Sequence, residues 1–318
     1  MRRELPRWIA PVSILVLLVA CARQRGPEVH SMLGEPLRRE NLPGVETPEK
    51  LRALEDARTA IAQYPDDEAS WIWLGRRLGY LGRFREAIDV FSAGLRRHPG
   101  SYRLLRHRGH RYISCRDLDR AVADLSLAAR LADGHADVAE PDGAPNPSGV
   151  ARSTDRSNIY YHLGLAHYLR GEYERADRAF AVRDGLESPN DDMVVSTTHW
   201  RYLALRRLGR DVDAGALVSR VHEGMHVLEN SGYHDLCLMY AGRLSPRTVL
   251  SRATEGGSRD HSVEYGVAAY WMLSGEEARA REMLGALVAS PSWHSFGVIA
   301  AECDLAREDP RRGRARLP

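Results

Sequence analysis

Residues 68–101, EASWIWLGRRLGYLGRFREAIDVFSAGLRRHPGS, constrain the fold more than any other stretch of the chain. Large side chains (Trp71, Leu74, Leu78, Phe91) are set among small ones (Gly75, Ala87, Gly94). Spacings of three and four put Trp71, Leu74 and Leu78 on one face of a first helix, and Ala87, Phe91 and Gly94 on one face of a second. Gly82 between them supplies a left-handed residue that stops the first helix, and Pro99 cannot continue the second. Gly75 and Ala87 carry almost no side chain, so the two axes can approach closely while Trp71 and Phe91 fill the flanking space. The stretch therefore predicts a tight antiparallel helix hairpin.

The hairpin recurs. From Tyr102 to about Gly134, Leu105, Gly109, Tyr112, Ala121, Leu125 and Ala128 each stand thirty-four residues after a counterpart in the first stretch. Two departures mark this copy: Arg116 occupies the turn-glycine position, and Asp133 the place of the proline. Before the opening stretch, 49–63 aligns Ala53, Ala57 and Ala60 and ends at Tyr64-Pro65, as the second helix of a degenerate first hairpin would. The period resumes at Asn158 with Tyr160, Leu163, Gly164, Gly171, Ala176 and Phe180. A further hairpin from Asp191 carries Tyr202, Leu205, Gly209, Ala214 and Val218, its second helix continuing toward Leu228. Shorter helices are predicted over 231–240 and 246–252, then a hairpin over 261–289, and a last helix over 293–307 that closes the open end of the stack.

This pattern resembles the tetratricopeptide (TPR) repeat, and the resemblance covers residues 49–307. It implies an all-α fold, a right-handed superhelix of antiparallel helix hairpins, whose work is non-enzymatic binding of a protein or peptide partner. In TPR proteins the first helices line a concave groove. By the repeat register the groove-facing positions here include Arg76, Arg103, Arg106, His110, Tyr161, His199 and Arg206. A basic groove flanked by aromatic rings suits an acidic, extended peptide, because arginine pairs with carboxylates through two parallel hydrogen bonds. The alternative is that these are ordinary solubilising side chains in a chain whose basic residues are nearly all arginine. The lysine and asparagine pattern with which some TPR domains hold a terminal carboxylate is absent.

Residues 1–20 read as a secretory signal: Arg2, Arg3 and Arg7 precede an apolar run from Ile9 to Ala20, shorter than the ~20 residues that span a bilayer comfortably. Leu18-Val19-Ala20-Cys21 resembles the lipobox of bacterial lipoproteins. That implies lipidation of Cys21 and a chain tethered to a membrane at the bacterial cell envelope, on the periplasmic side of the outer membrane in a Gram-negative cell. An uncleaved anchor or an ordinary signal peptide are the alternatives. Pro27, Gly34, Pro36, Pro43 and Gly44 make 21–48 read as a flexible tether. Residues 133–157 are a turn-rich insertion, either a binding loop or a surface excursion, and 308–318 an arginine-rich disordered tail that is solvated or meets a polyanion.

Charge and motifs narrow the chemistry. The chain has 45 basic and 43 acidic residues, and loss of residues 1–20 would balance them, which argues against a nucleic-acid partner. Cys115, Cys237 and Cys303 fall inside predicted helices without metal-type spacing and read as small buried hydrophobes. His222-Glu223-Gly224-Met225-His226 matches H-E-x-x-H, in which two histidines one helical turn apart hold zinc and the glutamate is the general base. A zinc-dependent hydrolase is thus the alternative function. The motif has a glycine in its middle and lacks the third histidine of the longer form, with His234 the nearest substitute. The protein is accordingly expected to have no catalytic residues, no metal and no cofactor.

Overall fold

The structure is a computed structural model, and it describes residues 26–143, 146, 148–186, 190–254 and 259–308. The expected signal sequence over 1–20, Cys21 and the expected tail beyond residue 308 lie outside the described residues. Within them the protein is all-α apart from a short hairpin, β1 (Val29–His30) with β2 (Pro36–Leu37).

Helix α1 (Pro48–Gln63) is followed by hairpins α2 (Glu68–Tyr80) with α3 (Phe84–Arg97), α4 (Tyr102–Ser114) with α5 (Leu118–Ala132), α6 (Asp155–Leu169) with α7 (Tyr173–Asp184), and α8 (Asp191–Arg207) with α9 (Asp211–Val218). Then come α10 (Ser231–Tyr240), α11 (Pro246–Arg252), α12 (His261–Leu273), α13 (Glu277–Val288) and α14 (Phe296–Glu308). The starts of the inner helices α2, α4 and α6 are fixed by side chains that accept from otherwise orphaned N–H groups. Asp67 caps α2, Ser101 caps α4, and Thr154 with Ser157 forms a reciprocal capping box on α6.

The hairpin seams follow the predicted chemistry. A Cβ added to Gly75 would lie 2.2 Å from Phe91 Cε1, one on Gly109 2.7 Å from Leu125 Cγ, and one on Gly164 2.6 Å from Phe180 Cε1. Each glycine thus leaves the gap that a large residue sixteen positions later fills, and Phe91, Leu125 and Phe180 are all buried there. The turns repeat as well: Arg83, Asp117, Glu172 and Arg210 each donate a main-chain N–H to the carbonyl five residues earlier. Such a turn needs one residue at positive φ. Gly82 supplies it at +68°, whereas Arg116 adopts +63° with a full side chain.

Helices α2, α4, α6 and α8 touch in succession and form the inner wall, with α3, α5, α7 and α9 behind them. Beyond α8 the succession continues through α10, which packs on both α8 and α12, before the chain turns back across the wall. Helix α12 packs on α8, and α14 packs on α12, α13 and α6. Instead of merely closing the open end, α14 turns into the concave side. A Cβ on Gly297 would lie 2.0 Å from His261 O, so glycine is what lets α14 seat against α12 at this distance.

Arg116 explains how α14 is held. Its side chain is buried, donates to Glu302 (Nε to Oε2 3.0 Å, Nη2 to Oε1 2.5 Å), to Ser114 O at 2.7 Å and to Trp293 O at 2.7 Å, and lies 5.5 Å over the Trp293 ring. The departure from glycine at this turn is therefore a strut between the second hairpin and the last helix.

Three further expectations are corrected. The stretch 26–47 is not a loose tether: Val29 and Leu42 are buried, Met32 N donates to Glu302, and Trp293 Nε1 donates to Arg38 O at 3.0 Å. Its apolar residues are scattered without a period, so they give no helical signal yet still anchor an irregular strap. The helix after Asp211 ends at Val218 rather than continuing toward Leu228, because Asp192 gathers the following loop. That carboxylate accepts from the N–H groups of Leu228, Glu229 and Asn230. Finally, the described residues of the insertion pack on the inner wall, as described next.

Candidate functional site: the concave face and what lies across it

The inner wall presents Trp73, Arg76, Arg77 and Tyr80 from α2 beside Arg103, Arg106, His107 and His110 from α4. Helical spacing puts Arg76 and Tyr80 one turn apart on one face, and Tyr80 Oη accepts from Arg76 Nε at 3.2 Å. Both guanidiniums of α2 stack on the Trp73 ring, Arg76 at 4.5 Å and Arg77 at 4.8 Å from its centroid. Such stacking holds a flexible cation in place at small entropic cost.

Residues 138–143 and 152–155 of the insertion lie across this surface. The two legs pair through Glu140 N to Ser153 O and Asp155 N to Val138 O, both 3.0 Å. Between them Glu140 points inward and is buried, its Oε1 3.2 Å from Arg106 Nη2 and 3.9 Å from Arg76 Nη1, its Oε2 accepting from Asn158 Nδ2 at 2.9 Å. Arg76 Nη1 donates to Pro141 O at 2.8 Å and Arg77 Nη1 to Gly143 O at 3.2 Å. On the far side Arg152 Nε donates to Asp192 at 2.8 Å, and Asn146 Nδ2 donates to Glu229 at 2.5 Å. A polar pocket of about 160 Å³ remains between the segment and the wall, lined by Arg76, Arg106, Arg152, Glu140, Asp142 and Glu229.

Electrostatics follow from burial. Arg106 has its pKa lowered, since desolvation of a fully enclosed guanidinium outweighs the opposing pull of Glu140; its Nε has no hydrogen-bond partner. His107 is pushed well below the ordinary imidazole range, first by burial and then by Arg106 and Arg76. At Asp192 burial pushes the carboxyl up, but the main-chain donors from Glu229, Leu228 and Asn230 together with Arg152 prevail and its pKa is lowered.

The seven groove positions predicted from the sequence part company in three dimensions. Arg76 and Arg106 are brought together around Glu140. Arg103 pairs with Asp155 at 2.6 Å and Glu68 at 3.4 Å. His110 lies in an aromatic cluster 4.3 Å from His162 and 5.3 Å from Phe296 of α14. Tyr161 Oη accepts from Trp200 Nε1 at 3.0 Å and is 3.2 Å from Tyr233 Oη. His199 has no exposed surface; it stacks on Tyr233 and Tyr240 and meets Trp200 edge-on, and burial alone takes its pKa down to about 3. Arg206 donates to Tyr202 Oη at 2.7 Å and to Leu273 O at 3.0 Å. The expectation of one open stripe is therefore corrected: α10, α12 and α14 cover the groove at His110, Tyr161, His199 and Arg206. The α2–α4 portion is the part of the inner wall that α10, α12 and α14 leave uncovered, and Trp73, Arg77 and Tyr80 belong to it although they are not among the expected groove positions. Their shared helix with Arg76 was the available signal.

The H-E-x-x-H stretch sits in the exposed loop after α9, not on a helix. Its histidines thus lack the one-turn spacing that makes the motif a zinc clamp. His234 Nε2 lies 3.0 Å from His222 O, a main-chain contact. Among the described residues no three His, Cys, Asp or Glu side chains converge as a metal site.

Glycine-lined seams thirty-four residues apart at Gly75 and Gly109, each closed by the same six-to-one turn, decide the architecture. The fold is a TPR-type helical stack. No protein-family model matches the chain, and no curated protein matches it. Among solved structures, it is similar to YrrB, a TPR protein with an unusual peptide-binding site, at 13% identity and TM-score 0.42, covering 78% of this chain and 98% of that one. It is also similar to a tetratricopeptide repeat protein from Parabacteroides merdae, at 13% identity and TM-score 0.47, covering 81% and 93%. A third is the Naa15/Naa10 complex bound to HypK-THB, at 15% identity and TM-score 0.35, covering 79% of this chain and 36% of that one.

Proposed function

We propose that the protein is a non-enzymatic, lipid-anchored scaffold of the bacterial cell envelope, whose α2–α4 concave face binds an extended acidic segment of a protein partner. The observation that carries this reading is the way residues 140–143 lie there, with one carboxylate between two guanidiniums and two main-chain carbonyls on Arg76 and Arg77. These are features any acidic peptide offers, so the face has the chemistry of peptide recognition. The membrane address rests on Leu18-Val19-Ala20-Cys21 alone.

Capture from detergent-solubilised envelopes tests the binding. Arg76→Ala with Arg77→Ala is expected to weaken capture of the partner and to reduce its salt sensitivity. A partner retained equally by that variant would place the surface elsewhere. For the anchor, Cys21→Ser is expected to abolish palmitate labelling and membrane retention; unchanged labelling removes the lipoprotein reading.

A further inference from the structure

We propose that residues 139–143 are a built-in competitor for the α2–α4 face, exchanged for a partner segment of like chemistry: extended, with an inward carboxylate followed by accessible main-chain carbonyls. This rests on the peptide-binding reading above and adds how the site is regulated and what it selects.

Three observations support exchange rather than permanent closure. First, the segment brings no apolar anchor. Of Ala139, Glu140, Pro141, Asp142 and Gly143, Glu140 alone is buried, while Ala139, Pro141 and Asp142 are exposed. Segments held without buried apolar contacts open at far lower free energy than the global fold. Second, among the described residues the main-chain pairing of the two legs is two hydrogen bonds, Glu140 N to Ser153 O and Asp155 N to Val138 O, around an isolated bridge, and the further ties through Asp137, which accepts from Thr154 Oγ1 and Arg156 N, lie outside 139–143. Third, Glu140 is the carboxylate that faces Arg106. That guanidinium is buried, borders the pocket, and keeps an Nε with no partner. Removing Glu140 without replacement strands a buried cation, which is strongly unfavourable. The segment therefore stays shut against neutral or basic peptides and yields to one that supplies its own carboxylate.

Being tethered, it competes at an effective concentration on the order of millimolar. Apparent affinity for a partner is lowered by the fraction of time the face is free.

The probe is a fluorescein-labelled heptapeptide copying residues 137–143, added to the detergent-purified full chain and read by anisotropy. It is compared on the native chain, on Glu140→Gln, and on a chain whose residues 139–143 are replaced by Gly-Ser-Gly-Ser-Gly. Hydrogen exchange over 138–155 reports whether the segment has been released. Release with at least ~10-fold tighter binding in both variants, and no binding of a probe with Gln for its Glu, is the expected result. Equal affinity for all three chains overturns the competitor while leaving the peptide-binding face intact. Released variants that bind no probe overturn both. Unchanged exchange in both variants, or loss of the helical fold in the replacement chain, shows the segment to be a structural part of the wall and ends the proposal. Millimolar sulfate displacing the probe from the variants would mean that the face selects any anion, which overturns the stated peptide selectivity.

Discussion

The seams between paired helices and the interior of the stack are both tightly packed, but by opposite means. At the seams a glycine faces a large apolar side chain: Gly75 against Phe91, Gly109 against Leu125, Gly164 against Phe180. In the interior the chain returns on itself through polar groups that satisfy one another. Arg116 holds Glu302, while Asp304 accepts from Arg207 at 2.7 Å and from Tyr265 Oη at 3.0 Å, and Tyr168 Oη meets Tyr265 Oη at 2.7 Å. A seam tolerates error in proportion to volume, because packing fails gradually. An interior of buried charges fails in steps, because removing one partner leaves a buried polar group unsatisfied.

That contrast can be broken most severely at Glu302. Glu302→Ala leaves Arg116 buried at a positive φ with no carboxylate, and breaking a buried pair costs roughly 3–5 kcal/mol. Urea unfolding is expected to show a loss of that size. A change below about 1 kcal/mol, the scale of exposed pairs, would mean that α14 is held by apolar contacts alone. Gly75→Leu probes the seam. It drives a side chain into the Phe91 ring, 2.2 Å from the new Cβ, and overpacking of this kind costs roughly 1–3 kcal/mol. Parent-like thermal unfolding would refute the assigned register. The smallest effect sharpens the comparison through pH. His199 is buried neutral with its pKa taken down to about 3, below the unfolded value of about 6.5. The unfolded state therefore binds the extra proton first. The resulting stability is complete above about pH 6.5 and is lost as pH falls, at ~1.4 kcal/mol per unit for this one group. His199→Phe should lessen the fall in Tm between pH 6.5 and 5.5, and an identical fall would show that His199 is not buried neutral.

How much of this was readable beforehand follows the same division. Seams are written in the sequence because their partners recur at fixed short intervals, so Gly75, Gly109, Gly82 and Phe91 announce them. Helix α14 as an element is legible, but its destination is not, since the Arg116–Glu302 pair spans 186 residues and repeats nowhere. The one local hint was negative: an arginine where the turn calls for glycine. At the candidate site, Arg76 and Arg106 were found by register. Glu140 was missed because it belongs to an aperiodic insertion, and His110 and His199 were misplaced because register assigns a face without saying what comes to cover it. The strap over 26–47 failed for a related reason, since Pro and Gly that suggest looseness also make the bends that let Val29 and Leu42 reach the core.

The strap has a mechanical consequence. An open stack of hairpins is a spring, extensible along its axis because its two ends are independent. Here Met32 and Arg38 near the amino-terminal end are fastened to Glu302 and Trp293 near the other. Tension applied at residue 26 meets Glu28, which accepts from Arg85 N on α3, and then passes through Met32 to α14 and Glu302, which holds Arg116, so the coil is loaded across its width rather than along its length. Such a body resists stretching until the clasp gives way, and then lengthens abruptly.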